Sequence, residues 1–594
     1  MLKLLKYLKP HRLTLAVIMV FVYIQVMTDL ELPDFMARIV NQGIVLKDTG
    51  LILRTGSEML AVALLGAACS VIVSLLASRL AASFSMQVRQ DLFARVESYS
   101  LAEFNHFSTA SLITRSTNDI QQIQLVLLMV LRFVLSAPIM GVGAVLKAYH
   151  TAPSMTWIMA LAVTILVGTI GIIFSIALPR FQALQKLVDK LNLVTRQILT
   201  GLRVIRAFNR EEQEEKNFDA TNRELTGANL FVNRLMVVMQ PFMMFIFNMT
   251  SLLIVWVGAS MIDAGTLNIG NMMAFMQYCM QVIFAFLMVS MVFIMVPRAS
   301  VSAGRVAEVL SVEPAIRDPR DQTNKGSKDQ KSTENHGVVE FRDVSFAYAG
   351  APAPVVEHIS FLARPGQTTA LIGSTGSGKS TLINLIPRFY DVTGGAVLVE
   401  GVDVREMKLE DLYQKIGYVP QKGVLFSGTV ESNIKYGAPE ASDEQVREAA
   451  VTAQATEFID TLAEKYKDPI AQGGTNVSGG QKQRLSIARA IARDPAIYIF
   501  DDSFSAVDMR TDVLLRGALK KKTKNSTVII VAQRISTIVD ADQIIVLDQG
   551  HIAGTGTHEE LMKSCSVYQE IASSQLSLEE LKRTGKASHT EVTK

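Results

Sequence analysis

Cysteine and charge are both scarce in this chain, and each shortage removes a class of protein. The three cysteines, Cys69, Cys279 and Cys565, are scattered over 594 residues. No two stand at metal-ligand or disulfide-framework spacing, which leaves them as apolar thiols of a reducing compartment. Charged residues amount to 19% and the formal net charge is only +3, so the basic surplus that a nucleic-acid partner demands is missing. Apolar residues take the place of charge. They make up 49% of the chain, too many for an ordinary soluble protein. The surplus lies before about residue 300, and the remainder has a soluble mixture.

Six apolar segments, at approximately 13–32, 59–78, 123–146, 153–178, 235–262 and 271–296, each reach the length of about 20 residues that a bilayer crossing needs. The last three carry no formal charge. Lys3, Lys6, Lys9 and Arg12 precede the first span without an acid among them, which places the N-terminus in the cytoplasm. The first segment is too long for a cleaved signal and leads into further spans. Six crossings return the second half to the side where it began. The outer connections are short. The inner ones, 79–122 and 179–234, are long and keep a helical pattern: Phe84, Val88, Leu92 and Val96 repeat at four-residue spacing, and Leu184, Leu187, Val188 and Leu191 share a stripe. Membrane helices that project as stiff rods are the expectation.

Half of the 26 methionines fall between Met236 and Met295, with Met236, Met239, Met243 and Met273, Met276, Met280 at helical spacing. Such a polarizable surface suits promiscuous binding, and plain helix packing or lipid contact explains it equally well. Gln25, Asp29, Gln240, Asn248, Gln277 and Gln281 stand within spans, where polar groups face a cavity or another helix. An interfacial position for Asp29 and Arg132 is the alternative, since span boundaries read from sequence shift by several residues. The expected organisation is a membrane domain over 1–313, a solvated polar linker over 314–337, a second domain over 338–575, and a polar tail over 576–594.

The second domain carries the chemistry. Thr368–Ile372 reads as a buried strand that runs into Gly373, Ser374, Thr375, Gly376, Ser377, Gly378, Lys379, Ser380 and Thr381. This glycine-rich loop wraps backbone N–H groups around phosphates at a helix N-terminus, with Lys379 reaching the β- and γ-phosphates and Ser380 binding Mg²⁺. A second apolar strand, Ala496–Phe500, ends in Asp501 and Asp502. Asp501 is placed to hold Mg²⁺ and Asp502 to orient or activate the attacking water. These motifs imply ATP and Mg²⁺, but by themselves they do not separate a kinase from a transporter.

Val477–Gln481 (Val-Ser-Gly-Gly-Gln), followed by Lys482-Gln483-Arg484, narrows the choice. With it the chain resembles an ABC exporter half-transporter of the multidrug type, over nearly its whole length up to about Ser573. The resemblance implies a six-helix α-helical transmembrane domain with long cytoplasmic helix extensions, followed by an α/β P-loop ABC nucleotide-binding domain. It makes Ser478, Gly479, Gly480 and Gln481 the signature motif and Tyr348 the aromatic that stacks on adenine. Gln421 becomes the loop glutamine that touches Mg²⁺, and Ser505–Asp508 the loop through which paired domains communicate. Gly201–Phe208 resembles the second inner loop, so short coupling helices are expected around Ser111–Asp119 and Phe208–Lys216. Two ATP molecules sandwiched between head-to-tail nucleotide domains are implied, one chain offering half of each site.

The chain departs from the family pattern at Asp502, where glutamate is usual, at Gln533, where histidine is usual, and at Gln472, another usual glutamate. These replacements imply the degenerate-site subunit of a heterodimer. Its partner would be a non-identical half-transporter with intact glutamate and histidine, surrounded by membrane lipid, in a bacterial cell membrane with the nucleotide domain cytoplasmic. Export of amphipathic, drug-like compounds is the expected function. Lipid flipping, a weakly active homodimer and an ATP-gated regulator of another membrane protein are the alternatives.

Overall fold

The first helix shows why the membrane half folds as it does. Ile18, Val22, Val26 and Leu30 recur at four-residue spacing and are all buried, while Leu13, Val20 and Tyr23 on the other face stay exposed, as an apolar helix does when one stripe meets neighbours and the other meets lipid. The computed structural model describes residues 2–319 and 335–575; most of the expected linker and all of the expected polar tail lie outside the described residues. Two units divide the chain. One comprises Met1–Glu97 with Thr109–Val312, the other Ser98–Ser108 with Glu313 onward.

The first unit is helical throughout. A short 3-10 helix, Leu2–His11, buries Leu4 and Tyr7 and donates the Tyr7 hydroxyl to Asp91 at 2.7 Å. It leads into α1 (Arg12–Arg38) and α2 (Thr49–Glu97). A rod of α4 (Thr109–Thr114), α5 (Ile120–Met129) and α6 (Ser136–Thr151) follows, its pieces joined by two π-wound turns, Arg115–Asp119 and Val130–Val134. Then come α7 (Thr156–Ala207), α8 (Glu211–Asp263) and α9 (Ile269–Ser311). Among the described residues, six stretches are long and apolar enough to cross a membrane: Leu4–Ile44, Thr49–Glu97, Thr109–Thr151, Pro153–Ala177, Pro241–Asp263 and Ile269–Val289. The 52 residues of α7 extend about 78 Å at 1.5 Å per residue, well past a hydrocarbon core of about 30 Å. The stripe Phe84, Val88, Leu92 of α2 is buried, and Leu184, Leu187, Val188 and Leu191 of α7 are half-buried. α7 lies against α8, and α1, α2, α5, α6 and α9 pack on one another; Leu166 of α7 and Met243 and Ile246 of α8 join the two groups by packing with Ile283 of α9.

Polar ties hold that bundle near one end of its spans. Lys147 donates to Glu31 and Asp34, each at 2.7 Å, and Tyr278 donates to Asp34 at 2.7 Å. Asn41 bonds Asn271 at 2.9 Å and accepts from the Gly270 N–H at 2.8 Å. Glycine is needed at 270 because a Cβ there would stand 2.5 Å from the Ala37 carbonyl oxygen.

In the second unit, a six-stranded sheet carries the parallel strands Thr368–Gly373 (β1), Ile416–Val419 (β2), Ile497–Asp501 (β3), Thr527–Val531 (β4) and Gln543–Asp548 (β5), with His551–Gly556 (β6) antiparallel at one edge. The spatial order is β6-β5-β1-β4-β3-β2. The parallel strands are buried on both faces, which is why they read as unbroken apolar runs. One face meets a mostly antiparallel layer that includes Val339–Phe346 and Val356–Ala363, through a core containing Phe341, Leu371, Ile499 and Ile545. The other is covered by helices, through Phe500, Leu485, Ile491 and Leu515.

Candidate nucleotide site

Four neighbouring parallel strands, in the order β1-β4-β3-β2, end side by side, and ligands of such sheets bind beyond these carboxyl ends. The chain leaves β1 into Gly373–Thr381, leaves β4 toward Gln533, leaves β3 at Asp501 and Asp502, and leaves β2 toward Gln421. Segments far apart in sequence are thereby brought to one edge.

Gly376 and Gly378 have φ of +87° and +95°, left-handed values that glycine adopts without strain. They turn the loop into the helix α10 (Lys379–Leu385). The Lys379 ammonium donates to the carbonyls of Gly373 at 2.9 Å and Ser374 at 2.7 Å, and lies 3.4 Å from the Ser377 hydroxyl. It is only 9% exposed, and burial pulls its pKa down despite the opposing pull of Asp502 and Asp501. A buried cation on a glycine-turned loop is chemistry suited to an anion of high charge.

Ser380 donates to Asp501 Oδ1 at 3.0 Å. Asp501 is 6% exposed, and burial pushes its carboxyl above the ordinary range, opposed by the Ser380 hydrogen bond, reinforced by Asp502 and opposed again by Lys379. A hydroxyl and a carboxylate whose charge is under-compensated form the hard oxygen set that Mg²⁺ prefers, so the residues present fit the ion.

Asp502 takes φ +46°, a left-handed conformation that aspartate tolerates better than most residues. Its Oδ2 accepts from Gln533 Nε2 at 2.9 Å and from Gln421 Nε2 at 3.3 Å. The three positions at which catalysis was expected therefore meet on one oxygen atom. Tyr348 sits 3.0 Å from the Thr381 hydroxyl and meets Tyr390 edge-on, ring centres 5.3 Å apart.

Ser478 caps α11 (Gly479–Arg493): its hydroxyl accepts from the Gln481 N–H, while the Gln481 side chain accepts from the Ser478 N–H at 2.8 Å. Among the described residues, no hydrogen bond joins Ser478, Gly479, Gly480 or Gln481 to the loop Gly373–Thr381. One chain assembles the loop, the carboxylates and the two glutamines, but not the signature. The Ser505–Asp508 loop lies against that signature, since a Cβ on Gly480 would stand 3.0 Å from the Ala506 carbonyl.

Sequence reasoning passed over two features. Gln483 on α11 is buried, accepts from the Gly423 N–H at 3.0 Å and donates to the Pro420 carbonyl at 3.1 Å. It ties the signature helix to both sides of Gln421. The available signal was an amide on the apolar face of a helix, beside Ser486 and Ala490. The second is α3 (Leu101–His106), closed by a capping box between Ser100 and Glu103. This segment, rather than Ser111–Asp119, belongs to the unit of the nucleotide site, where Asn105 donates to the Tyr390 hydroxyl at 3.4 Å. The Ser-x-x-Glu spacing was the missed signal. Phe208–Lys216 is the exposed turn from α7 into α8, within the first unit.

A membrane bundle of six spans, joined in one chain to a phosphate loop at the edge of a parallel sheet, defines a membrane-embedded transport ATPase. Comparisons specify it further. The model of the ABC transporter transmembrane region matches residues 15–286, and the ABC transporter model matches 356–505. An ABC transporter ATP-binding protein of Mycobacterium tuberculosis strain H37Rv is 42% identical over 573 residues, covering 96% of this chain and 97% of its own. YfiB of Bacillus subtilis, another ABC transporter ATP-binding protein, is 34% identical over 577 residues, covering 97% and 99%. The mitochondrial potassium channel ATP-binding subunit of Xenopus tropicalis is 33% identical over 505 residues, covering 85% and 72%. A solved bacterial Atm1-family ABC exporter with ATP bound superimposes with a TM-score of 0.77 at 24% identity, covering 95% of this chain and 98% of its own. The chain belongs to the ABC transporter family, has the exporter fold, binds ATP and couples it to transport.

Proposed function

We propose that this chain is the degenerate-site half of a heterodimeric exporter that moves amphipathic, drug-like compounds outward across a bacterial cell membrane, with its nucleotide domain, about residues 338–575, in the cytoplasm. The observation that carries this reading is the Asp502 carboxylate, held through one oxygen by two glutamine amides. Aspartate is one methylene shorter than the usual glutamate, and a misplacement of about 1 Å lowers rate on the order of 100-fold. Gln533 can donate a hydrogen bond to a phosphate oxygen but cannot carry a proton or a charge at neutral pH. The site is built to grip ATP and to hydrolyse it slowly.

In this reading Lys379 and the loop N–H groups bind the phosphates, and Tyr348 stacks on the base. Ser380, Asp501 and Gln421 would hold Mg²⁺, which would offset the charge of the phosphates. The intact capped N-terminus at Ser478–Gln481 faces the nucleotide held by the partner, where the helix dipole favours an anion. That supports a dimer, because the signature and the phosphate loop of one chain are not joined. Purification alone and with candidate partners tests the assignment. Fast turnover by the isolated chain, abolished by Asp502→Ala, refutes heterodimerisation. ATP-dependent dye accumulation in vesicles, lost in a well-folded Lys379→Ala variant, is the expected transport result.

A second reading rests on the 33% identity to a channel's ATP-binding subunit. ATP binding would then gate another membrane protein. Nucleotide binding without movement of any compound across a broad panel favours it.

A further inference from the structure

Within the membrane bundle, α1, α2, the π-wound turn Val130–Val134, α6 and α9 line a half-open cavity of about 310 Å³, near the lower limit for small-molecule sites. Its polar lining is unusual for a span interior: Asp29, Arg132, Gln25, Gln281 and Ser136. The walls between them are apolar, with Val26, Phe133 and Phe284 on three different helical segments. An acid and a base at membrane depth usually neutralise one another or face a cavity. Here, among the described residues, neither Asp29 nor Arg132 has an ion-pair partner. Arg132 instead lies 5.5 Å over the Phe133 ring.

Two further observations point inward. Arg132 sits in the middle of the π-wound turn; such a turn re-aims side chains and recurs at functional sites. Gln281 donates its amide to the Asp29 carbonyl at 3.1 Å, while its own Oε1 is buried without a donor among the described residues. An acid and a base therefore line one cavity with aromatic and aliphatic walls, beside a buried amide oxygen that accepts no hydrogen bond among the described residues.

We infer that this cavity is a binding site for a zwitterionic amphiphile, a molecule with an ammonium group and a carboxylate or phosphate on a compact apolar body. The ammonium meets Asp29, the anionic group meets Arg132, and the body lies against Phe133 and Phe284. This rests on the exporter reading and narrows its substrate from amphipathic compounds in general to those carrying both charges. The methionine stripe Met273, Met276, Met280 plays no part in it; the methionines at the cavity are Met140 and Met288.

The test uses the full chain in lipid nanodiscs and three matched probes: naphthylalanine, its methyl ester, which keeps only the cation, and its N-acetyl derivative, which keeps only the anion. Equilibrium binding of wild-type protein should favour naphthylalanine by about tenfold over either relative, the scale of one lost charge-assisted hydrogen bond. Asp29→Asn should abolish the preference over the N-acetyl form, and Arg132→Gln the preference over the ester. Binding of the three probes within a factor of about two overturns the inference, and so does a loss of affinity that is equal for all three in both variants. The wild-type comparison decides even if the variants fold poorly. ATP-driven uptake of a lipophilic dye, measured in vesicles that hold the chain together with its partner half, keeps the two readings apart. Dye uptake without charge selectivity sinks only the zwitterion site, whereas selective binding without uptake of dye or probe sinks only the exporter.

Discussion

Replacing Asp502 by glutamate and Gln533 by histidine together should turn a slow nucleotide site into a fast one. In the wild type the Asp502 carboxylate is pinned through a single oxygen, 2.9 Å from Gln533 Nε2 and 3.3 Å from Gln421 Nε2. Glutamate adds one methylene, about 1.5 Å of reach, to a backbone position that the left-handed φ of +46° already aims out of the sheet. Recovering about 1 Å of position is worth on the order of 100-fold. A histidine at 533 adds a group able to hold a proton, and such groups contribute on the order of 100-fold or more. The two gains share one carboxylate and will not multiply freely. The double variant should therefore turn over about 100-fold faster than wild type, and each single variant should recover less. Steady-state phosphate release in nanodiscs at saturating Mg-ATP reads this, with Lys379→Ala as the blank. Wild-type turnover of about 10 per second, typical of an unimpaired enzyme, would refute the reasoning. A double variant that binds ATP normally yet stays as slow as wild type would do the same.

Two other outcomes follow from single residues. Burial raises the Asp501 carboxyl pKa, so the folded state favours its protonated form; its contribution to stability is complete below the ordinary carboxylate range and is lost as pH rises through the raised value. Asp501→Asn should thus melt higher than wild type at neutral pH without nucleotide, with the advantage narrowing in acid, and should lose Mg²⁺-dependent hydrolysis; a melting difference that is constant with pH contradicts this. Gly270→Ala places a methyl 2.5 Å from the Ala37 carbonyl and 2.7 Å from Asn41 Oδ1, where backbone cannot yield as a side chain can. It should destabilise the membrane unit by about 1–3 kcal/mol, seen as an earlier thermal loss of monodisperse protein on size exclusion, and an unchanged profile would show that the helices are free to part there.

Whatever is contiguous in this protein could be read directly from its residues. The phosphate loop is a local motif: nine successive residues from Gly373 to Thr381 carry their own turn glycines, cation and hydroxyl. The spans announce themselves through composition, because a bilayer admits little else. Helix caps are equally local, and the Ser100–Glu103 box was legible in the Ser-x-x-Glu spacing.

Tertiary structure decided everything that depends on distance in sequence. Gln421, Asp502 and Gln533 converge on one oxygen only because parallel pairing places β4, β3 and β2 side by side. Residue identity flagged the two departures, but only the sheet shows that they touch. Likewise, the tie from Lys147 to Glu31 and Asp34 spans more than 100 residues of chain, and no helical periodicity reports which stripe of one span faces which stripe of another. The same holds for Asp29 and Arg132: the sequence left them open between a cavity and an interface, and the packing of α1 against α9 and a π-wound turn sets them on one cavity. Local physics selects the conformation of a segment, whereas the choice of neighbours is settled by how all the buried faces fit at once.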